Sequence, residues 1–177
     1  SLVLEAVEWS NNTLRASALT RQDGVLVKAS ELNKRYLGTI RTSAAGVTCD
    51  TLLSRFIWNY YNRIERHLRV VDETDSWTYA VSLIWRSLNN TDSNRVDFVI
   101  GVDESLVNFS AHVLIENSGS GGHCVGVCLD NNNSTHCYIM QGLKGVASTT
   151  NLTWKSAFYC DHPGIGYHYL QITEFSG

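Results

Sequence analysis

No stretch of this sequence approaches the roughly 20 consecutive apolar residues of a membrane-spanning helix, which argues against membrane insertion. Basic excess is missing too. The 14 Lys and Arg stand against 17 Asp and Glu, a net charge of −3, whereas a general nucleic-acid surface needs a strongly basic face. There is no Gly-x-Ser-x-Gly elbow and no cysteine in a protease signature, so the commonest marks of nucleophilic catalysis are lacking. The glycine-rich SGSGG at 118–122 has neither the lysine nor the following helix of a P-loop and reads as a turn. The carboxylate pairs Asp72-Glu73 and Asp103-Glu104 are adjacent, so on a strand they point to opposite faces and cannot easily flank one glycosidic bond. No catalytic residue, cofactor or metal is assigned, and the chain is not expected to be an enzyme. The open alternative is a site assembled from distant residues, which would need a cleft with perturbed carboxylates. Repeats, linkers and low-complexity segments are also lacking, so residues 1–177 read as one domain, long enough to bury a sizeable core. A signal peptide is missing, but a sequence that opens on Ser1 rather than Met makes that absence uninformative.

What the sequence has is alternation. In SRFIWNYYNRIERHLRV, residues 54–70, the even positions Phe56, Trp58, Tyr60, Asn62, Ile64, Arg66, Leu68 and Val70 are mostly apolar. The odd positions Asn59, Tyr61, Arg63, Glu65, His67 and Arg69 are mostly polar. A period of two with aromatic and β-branched bulk predicts a strand, its aromatics inward and its arginines outward. A nucleic-acid site would want rings and arginines on one surface. Apolar residues alternate again at Trp77, Tyr79, Val81, Leu83 and Trp85, at Val96 to Val102, and at Val107, Phe109, Ala111, Val113 and Ile115. A further run holds Leu152, Trp154, Phe158 and Cys160. Turn clusters at Asp23-Gly24, 89–92, 118–122 and 130–135 separate these runs. The expected fold is all-β: a single-domain antiparallel β-sandwich, jelly-roll-like, with little helix beyond a short candidate at Asp50 to Arg55.

Five cysteines (Cys49, Cys124, Cys128, Cys137 and Cys160) accompany six Asn-x-Ser/Thr sequons, at Asn11, Asn89, Asn108, Asn132, Asn133 and Asn151. About two or three sequons would arise by chance, so with the cysteines they favour an oxidising, extracellular setting. A polar β-protein with asparagine-rich turns accounts for the same sequons without glycan. Turns expose an asparagine amide, so Asn89, Asn132 and Asn133 are the preferred glycan sites, ahead of the strand-bordering Asn108 and Asn151. In HCVGVCLDNNNSTHCYI, residues 123–139, a hairpin through Asp130 to Thr135 would bring Cys128 opposite Cys137 as a cross-strand disulfide. Buried thiols, or a metal site using Cys124, Cys128, His136 and Cys137, are the alternatives. In an extended strand Cys124 and Cys128 lie roughly 13 Å apart, too far to share a metal. An odd cysteine count leaves at least one thiol free or paired between chains. His112 falls on the polar face of its run, and His168 reads as a structural histidine or a contact with a neighbouring subunit.

Six segments resemble a family of largely uncharacterised tailed-bacteriophage proteins associated with the virion or its fibres. They are ASALTRQDGVLVK (16–28), RYLGTIRTS (35–43), RFIWNYYNRI (55–64), DSWTY (75–79), RVDFVIGV (95–102) and PGIGYHYLQITEFSG (163–177). The resemblance implies an extracellular, oligomeric structural protein and transfers no active site. The resemblance implies further strand sequence before Ser1 and after Gly177, so the chain is expected to be trimmed at both ends relative to the family. Its cysteines and sequons depart from the phage pattern and fit a eukaryotic virus, an algal or protist surface protein, or a secreted fibre better. The expected function is therefore a subunit of a virion appendage or self-assembling glycoprotein fibre, located extracellularly or on a virion surface. Its expected partners are copies of itself; nucleic acid is not expected. The alternative is a carbohydrate-binding adhesion module that takes cell-surface glycans on exposed rings. Trimming would leave strand edges open to another chain, with Leu2–Val7 and Tyr167–Phe175 as the candidate edges.

Overall fold

A computed structural model describes residues 2–80, 83–117, 122–132, 139–143 and 151–176, with backbone alone at 117, 139–143 and 151. Among the described residues the fold is all-β, and the one helical element is a 3-10 turn at Leu88–Asn90. Strands β1 (Leu19–Gln22), β2 (Val25–Lys28) and β3 (Glu31–Arg35) form an antiparallel meander. Its first turn is Asp23-Gly24, where both residues take positive φ (49° and 81°), as a two-residue hairpin requires. Two short ribbons follow: β4 (Gly38–Ile40) pairs β8 (Ile57–Asn59), and β5 (Thr42–Ala44) pairs β6 (Val47–Thr48).

The largest sheet contains β7 (Ser54–Arg55), β9 (Trp85–Ser87), β10 (Arg95–Ile100), β12 (His123–Leu129), β13 (Ile139–Leu143) and β15 (Gly166–Ser176). Its order is β13-β12-β15-β10-β7, with β9 also on β15, and among the described residues only the β7–β10 pairing is parallel. Two long strands, β11 (Val107–Asn117) and β14 (Asn151–Asp161), pair antiparallel as a separate ribbon. Val125, Val127, Leu170, Ile172, Val96, Phe98 and Ile100 of the large sheet meet Ala111, Val113, Ala157 and Tyr159 of the ribbon in one core cluster. A ribbon facing a sheet across a common core is compatible with the expected sandwich.

The structure corrects several expectations. The strand expected through 56–70 stops at Asn59, whose side-chain oxygen accepts the backbone N–H groups of Tyr61 and Asn62 at 2.9 and 3.2 Å. That Asx turn breaks the ladder, and residues 62–80 continue without regular strand. Phe56 is buried and Trp58 and Tyr60 half-buried, but Ile64, expected in the core, is 59% exposed. Arg63 and Arg69 are exposed as expected, and Arg63 also lies 5.3 Å from the Trp58 ring centre. The helix expected at Asp50 to Arg55 is absent, because Thr51 Oγ1 captures the N–H groups of Leu53 and Ser54 while Arg55 pairs with Asp50. Among the described residues of the run from Trp77 to Trp85, strand begins at Trp85, and Leu83 sits exposed at a φ of 57°. Tyr167–Phe175, a candidate edge, is instead central, since β15 pairs β12 on one side and β10 and β9 on the other. Leu2–Val7 forms no strand.

Polar bonds tie the irregular segment down. Asp72 Oδ2 accepts from the side-chain amides of Asn94 (2.6 Å) and Asn89 (3.1 Å), and its Oδ1 accepts the Thr74 N–H at 2.9 Å. Burial pushes the Asp72 carboxyl up, but the hydrogen bonds from Asn94, Thr74 and Asn89 outweigh it and bring the pKa down to about 2. Nearby, the buried Glu174 accepts from Trp77 Nε1 at 2.9 Å and from Arg86 Nε at 2.7 Å. Arg86 in turn lies 3.7 Å from the centre of the Tyr79 ring. These contacts replace a ladder for chain that has none.

Candidate assembly surface

The β11–β14 ribbon is amphipathic in an unexpected sense. Along β11 the expected stripe is inward: Ala111 and Val113 are buried, and Val107, Phe109 and Ile115 half-buried. The register pairs Phe109 with Tyr159, Ala111 with Ala157, Val113 with Lys155 and Ile115 with Thr153. Odd residues of β14 therefore share the inner face with odd residues of β11. That sends the more apolar set of β14 outward: Leu152 is 64% exposed, Trp154 67% and Phe158 40%. Leu114, paired with Trp154, is 43% exposed beside them. Lys155 takes an inward position instead and is buried.

The outer face thus carries five cross-strand rungs: Glu116 with Leu152, Leu114 with Trp154, His112 with Ser156, Ser110 with Phe158, and Asn108 with Cys160. His112 Nδ1 and Ser156 Oγ are 2.9 Å apart at the centre, so His112 is exposed and hydrogen-bonded. Glu116 is the one residue of these ten that carries a full charge. Neither long strand has a second neighbour among the described residues, so both outer edges of the ribbon are unpaired. The N-terminal arm is also bare. Leu2, Val3 and Leu4 are each at least 80% exposed. Glu5 anchors the arm through Lys34 and Lys28, and those hydrogen bonds hold its carboxyl below the usual range.

Other expected site residues lie apart. Cys49, Cys124 and Cys160 are free thiols, and burial raises the pKa of Cys124. Cys128 is fully buried and is not among the free thiols, while its expected partner Cys137, with His136, lies outside the described residues. So do the SGSGG residues 118–121 and Asn133, and the Asn151 side chain. Exposure reorders the sequons. Asn11 and Asn108 are exposed, whereas the Asn89 amide nitrogen donates to Asp72 and Thr74, and that of Asn132 donates to Asp92. His168 is buried with Nδ1 at 2.8 Å from Asp130, which is a structural role within its own chain. Among the described residues no group of three His, Cys, Asp or Glu is placed to hold a metal ion. An open hollow of about 300 Å³ is lined by Arg86, Ser87, Asn90, Asp92 and Asn132, and within it the Ser87 hydroxyl donates to Asp92 Oδ1 at 2.7 Å.

The aromatic residues of 54–70 form a second cluster, closed on itself. Tyr36, Trp58 and Tyr60 lie with ring centres 5.9 to 6.3 Å apart. Arg15 lies 4.9 Å from the centre of the Trp9 ring and 5.0 Å from that of Tyr36. Arg63 covers Trp58 while its guanidinium pairs with Glu104, and Arg35 lies over Tyr61. Rings already faced by this chain's own arginines are poor platforms for a base or a sugar.

No family model, curated protein or solved structure matches the chain. Its function must be read from these surfaces, among which the outer face of the ribbon stands apart for its exposed Leu114, Leu152, Trp154 and Phe158.

Proposed function

We propose that this protein is an extracellular structural subunit that assembles with copies of itself into a virion appendage or fibre. The observation that carries this reading is the β11–β14 ribbon, two strands of eleven residues each whose outer edges are both unpaired among the described residues. An open edge presents a row of N–H and C=O groups that another chain can pair, and long unprotected edges are rare in proteins that stay monomeric. The bare N-terminal arm supplies a segment of suitable length and apolarity to complete such an edge. Contacts that do not close on themselves would then propagate as a fibre. Sequons and a Cys128–Cys137 disulfide belong to the same reading, because both need a secretory environment. Light scattering and electron microscopy of the intact chain test it: oligomers or filaments are expected, and a strict monomer at high concentration overturns it. Peptide masses from native material test the setting, with glycan expected on Asn11.

A second reading has its own observation. Trp154 is a large exposed ring flanked by His112 and Ser156, the arrangement of a sugar-stacking platform. A glycan array on the lone domain separates the two: specific binding of millimolar affinity or tighter, lost in Trp154→Ala, supports an adhesion module. Its absence, with self-association present, leaves the structural reading standing.

A further inference from the structure

We infer that the outer face of the β11–β14 ribbon packs against the same face of a second copy around a two-fold axis, forming a dimer. This rests on the self-assembly reading and names the surface that begins it. The argument starts from the order of rungs. Let a two-fold axis run across the ribbon at the central His112–Ser156 rung, in the plane between two copies. Each strand then lies over its own counterpart, running antiparallel to it. Trp154 of one copy meets Phe158 of the other, and Leu152 meets Cys160. Leu114, a large residue, meets the small Ser110, and Ser156 meets Ser156. The apolar rail of β14 is thus continuous with itself: the two aromatics meet, and Leu152 and Leu114 fall on smaller residues.

Charge agrees with this arrangement. The lone acid of the face, Glu116, falls opposite the Asn108 amide of the second copy, with the two Glu116 residues at opposite ends. No like charges are brought together, and a core without charge flanked by a polar rim is the usual anatomy of an interface. Covering Leu114, Leu152, Trp154 and Phe158 on both copies would remove about 1,000 Å² of largely apolar surface, before the rim residues are added, which reaches the lower bound for a specific interface. Isologous dimers of this kind are the commonest assemblies, and a self-complementary patch is what they require. The arm and the ribbon edges remain free in such a dimer to extend it.

The test uses the intact chain in sedimentation velocity, beside Trp154→Glu and Leu152→Glu. Both positions are largely exposed, so both variants should keep the wild-type circular dichroism. Dimer dissociation constants at least 30-fold weaker are expected, the loss usual when a central aromatic anchor is removed. In a Cys160→Ser background, Ser156→Cys should be linked to its own counterpart by a bis-maleimide spanning about 10 Å, the ordinary distance between packed sheets. Wild-type Cys160, about 27 Å from its counterpart in this register, should not be linked. Assembly undiminished in both glutamate variants would overturn the dimer while leaving self-assembly intact, and a monomeric wild type would overturn both. A glycan on Asn108 in native material would also overturn it, since that rung must be bare to be covered.

Discussion

Gly101 offers a sharp test of how the aromatic segment at 54–70 is held. It follows β10, and its φ is not among the positive ones, so a side chain there meets no backbone strain. Space is the obstacle. A Cβ on Gly101 would sit 2.6 Å from Trp58 Cζ3 and closer still to Trp58 Cε3 and the Tyr36 hydroxyl, inside any permitted contact. The Tyr36 hydroxyl can retreat, at the cost of its 2.7 Å bond with Thr39. The Trp58 ring is less free. Arg63 covers it, its Nε1 donates to Ser105 Oγ at 3.3 Å, and Tyr36 and Tyr60 stand against it. Arg15 also donates to the Gly101 carbonyl, so displacement of this backbone disturbs the Trp9–Arg15–Tyr36 stack. Overpacking of this kind costs about 1–3 kcal/mol, and for a chain of this size each kcal/mol lowers Tm by about 2–4 °C. Gly101→Ala is therefore expected to lower Tm by about 3–10 °C, with a changed tryptophan emission spectrum. A Tm within about 1 °C of wild type would refute the packing of Trp58 on Gly101, and with it the view that this aromatic cluster is a closed structural unit.

Three further outcomes follow from named contacts. Asp72→Asn should destabilise by about 1–3 kcal/mol at neutral pH, since three donors lose a charged acceptor. With its folded pKa near 2, below the ordinary 3.8, the Asp72 contribution is complete above about pH 4 and lost as pH falls through 2, so the Tm curves of wild type and variant should converge in acid. At the other end of the scale, burial and the 2.5 Å hydrogen bond to Asp97 push the Tyr167 hydroxyl up to about 12. Its stabilisation is full below pH 10 and lost as pH rises through 12; Tyr167→Phe should cost about 1 kcal/mol at pH 7 and flatten the alkaline limb. Deleting residues 1–8 should leave a folded protein by circular dichroism while abolishing any assembly larger than the dimer. Filaments that persist without the arm would exclude strand donation from that segment.

The β class was legible because alternation survives wherever one face is buried, as β11 shows residue for residue. Strand ends were less legible, because they are decided by single side chains: Asn59 and Thr51 each capture two backbone N–H groups, and neither act leaves a periodic trace. The central place of β15 was hidden for another reason, since neighbours in a sheet are set by long-range pairing that no local pattern records.

The orientation of β14 shows most clearly where a local reading must stop. Its two faces are Leu152, Trp154, Ser156 and Phe158 on one side and Thr153, Lys155, Ala157 and Tyr159 on the other, and apolarity alone selects the first for the core. Parity decides otherwise. Once Ala111 and Val113 face inward, the antiparallel register obliges the odd residues of β14 to join them. A shift by one residue would turn Leu152 and Trp154 inward and bring Lys155 out. In the observed register, Ala111 and Ala157 are opposite one another and are almost wholly buried, and two small residues let the ribbon approach the large sheet closely. Tyr159 then fills the depth beside them. Trp154 is therefore kept outside by the register and not by its size, and a fold that leaves it in water has surface to cover by other means.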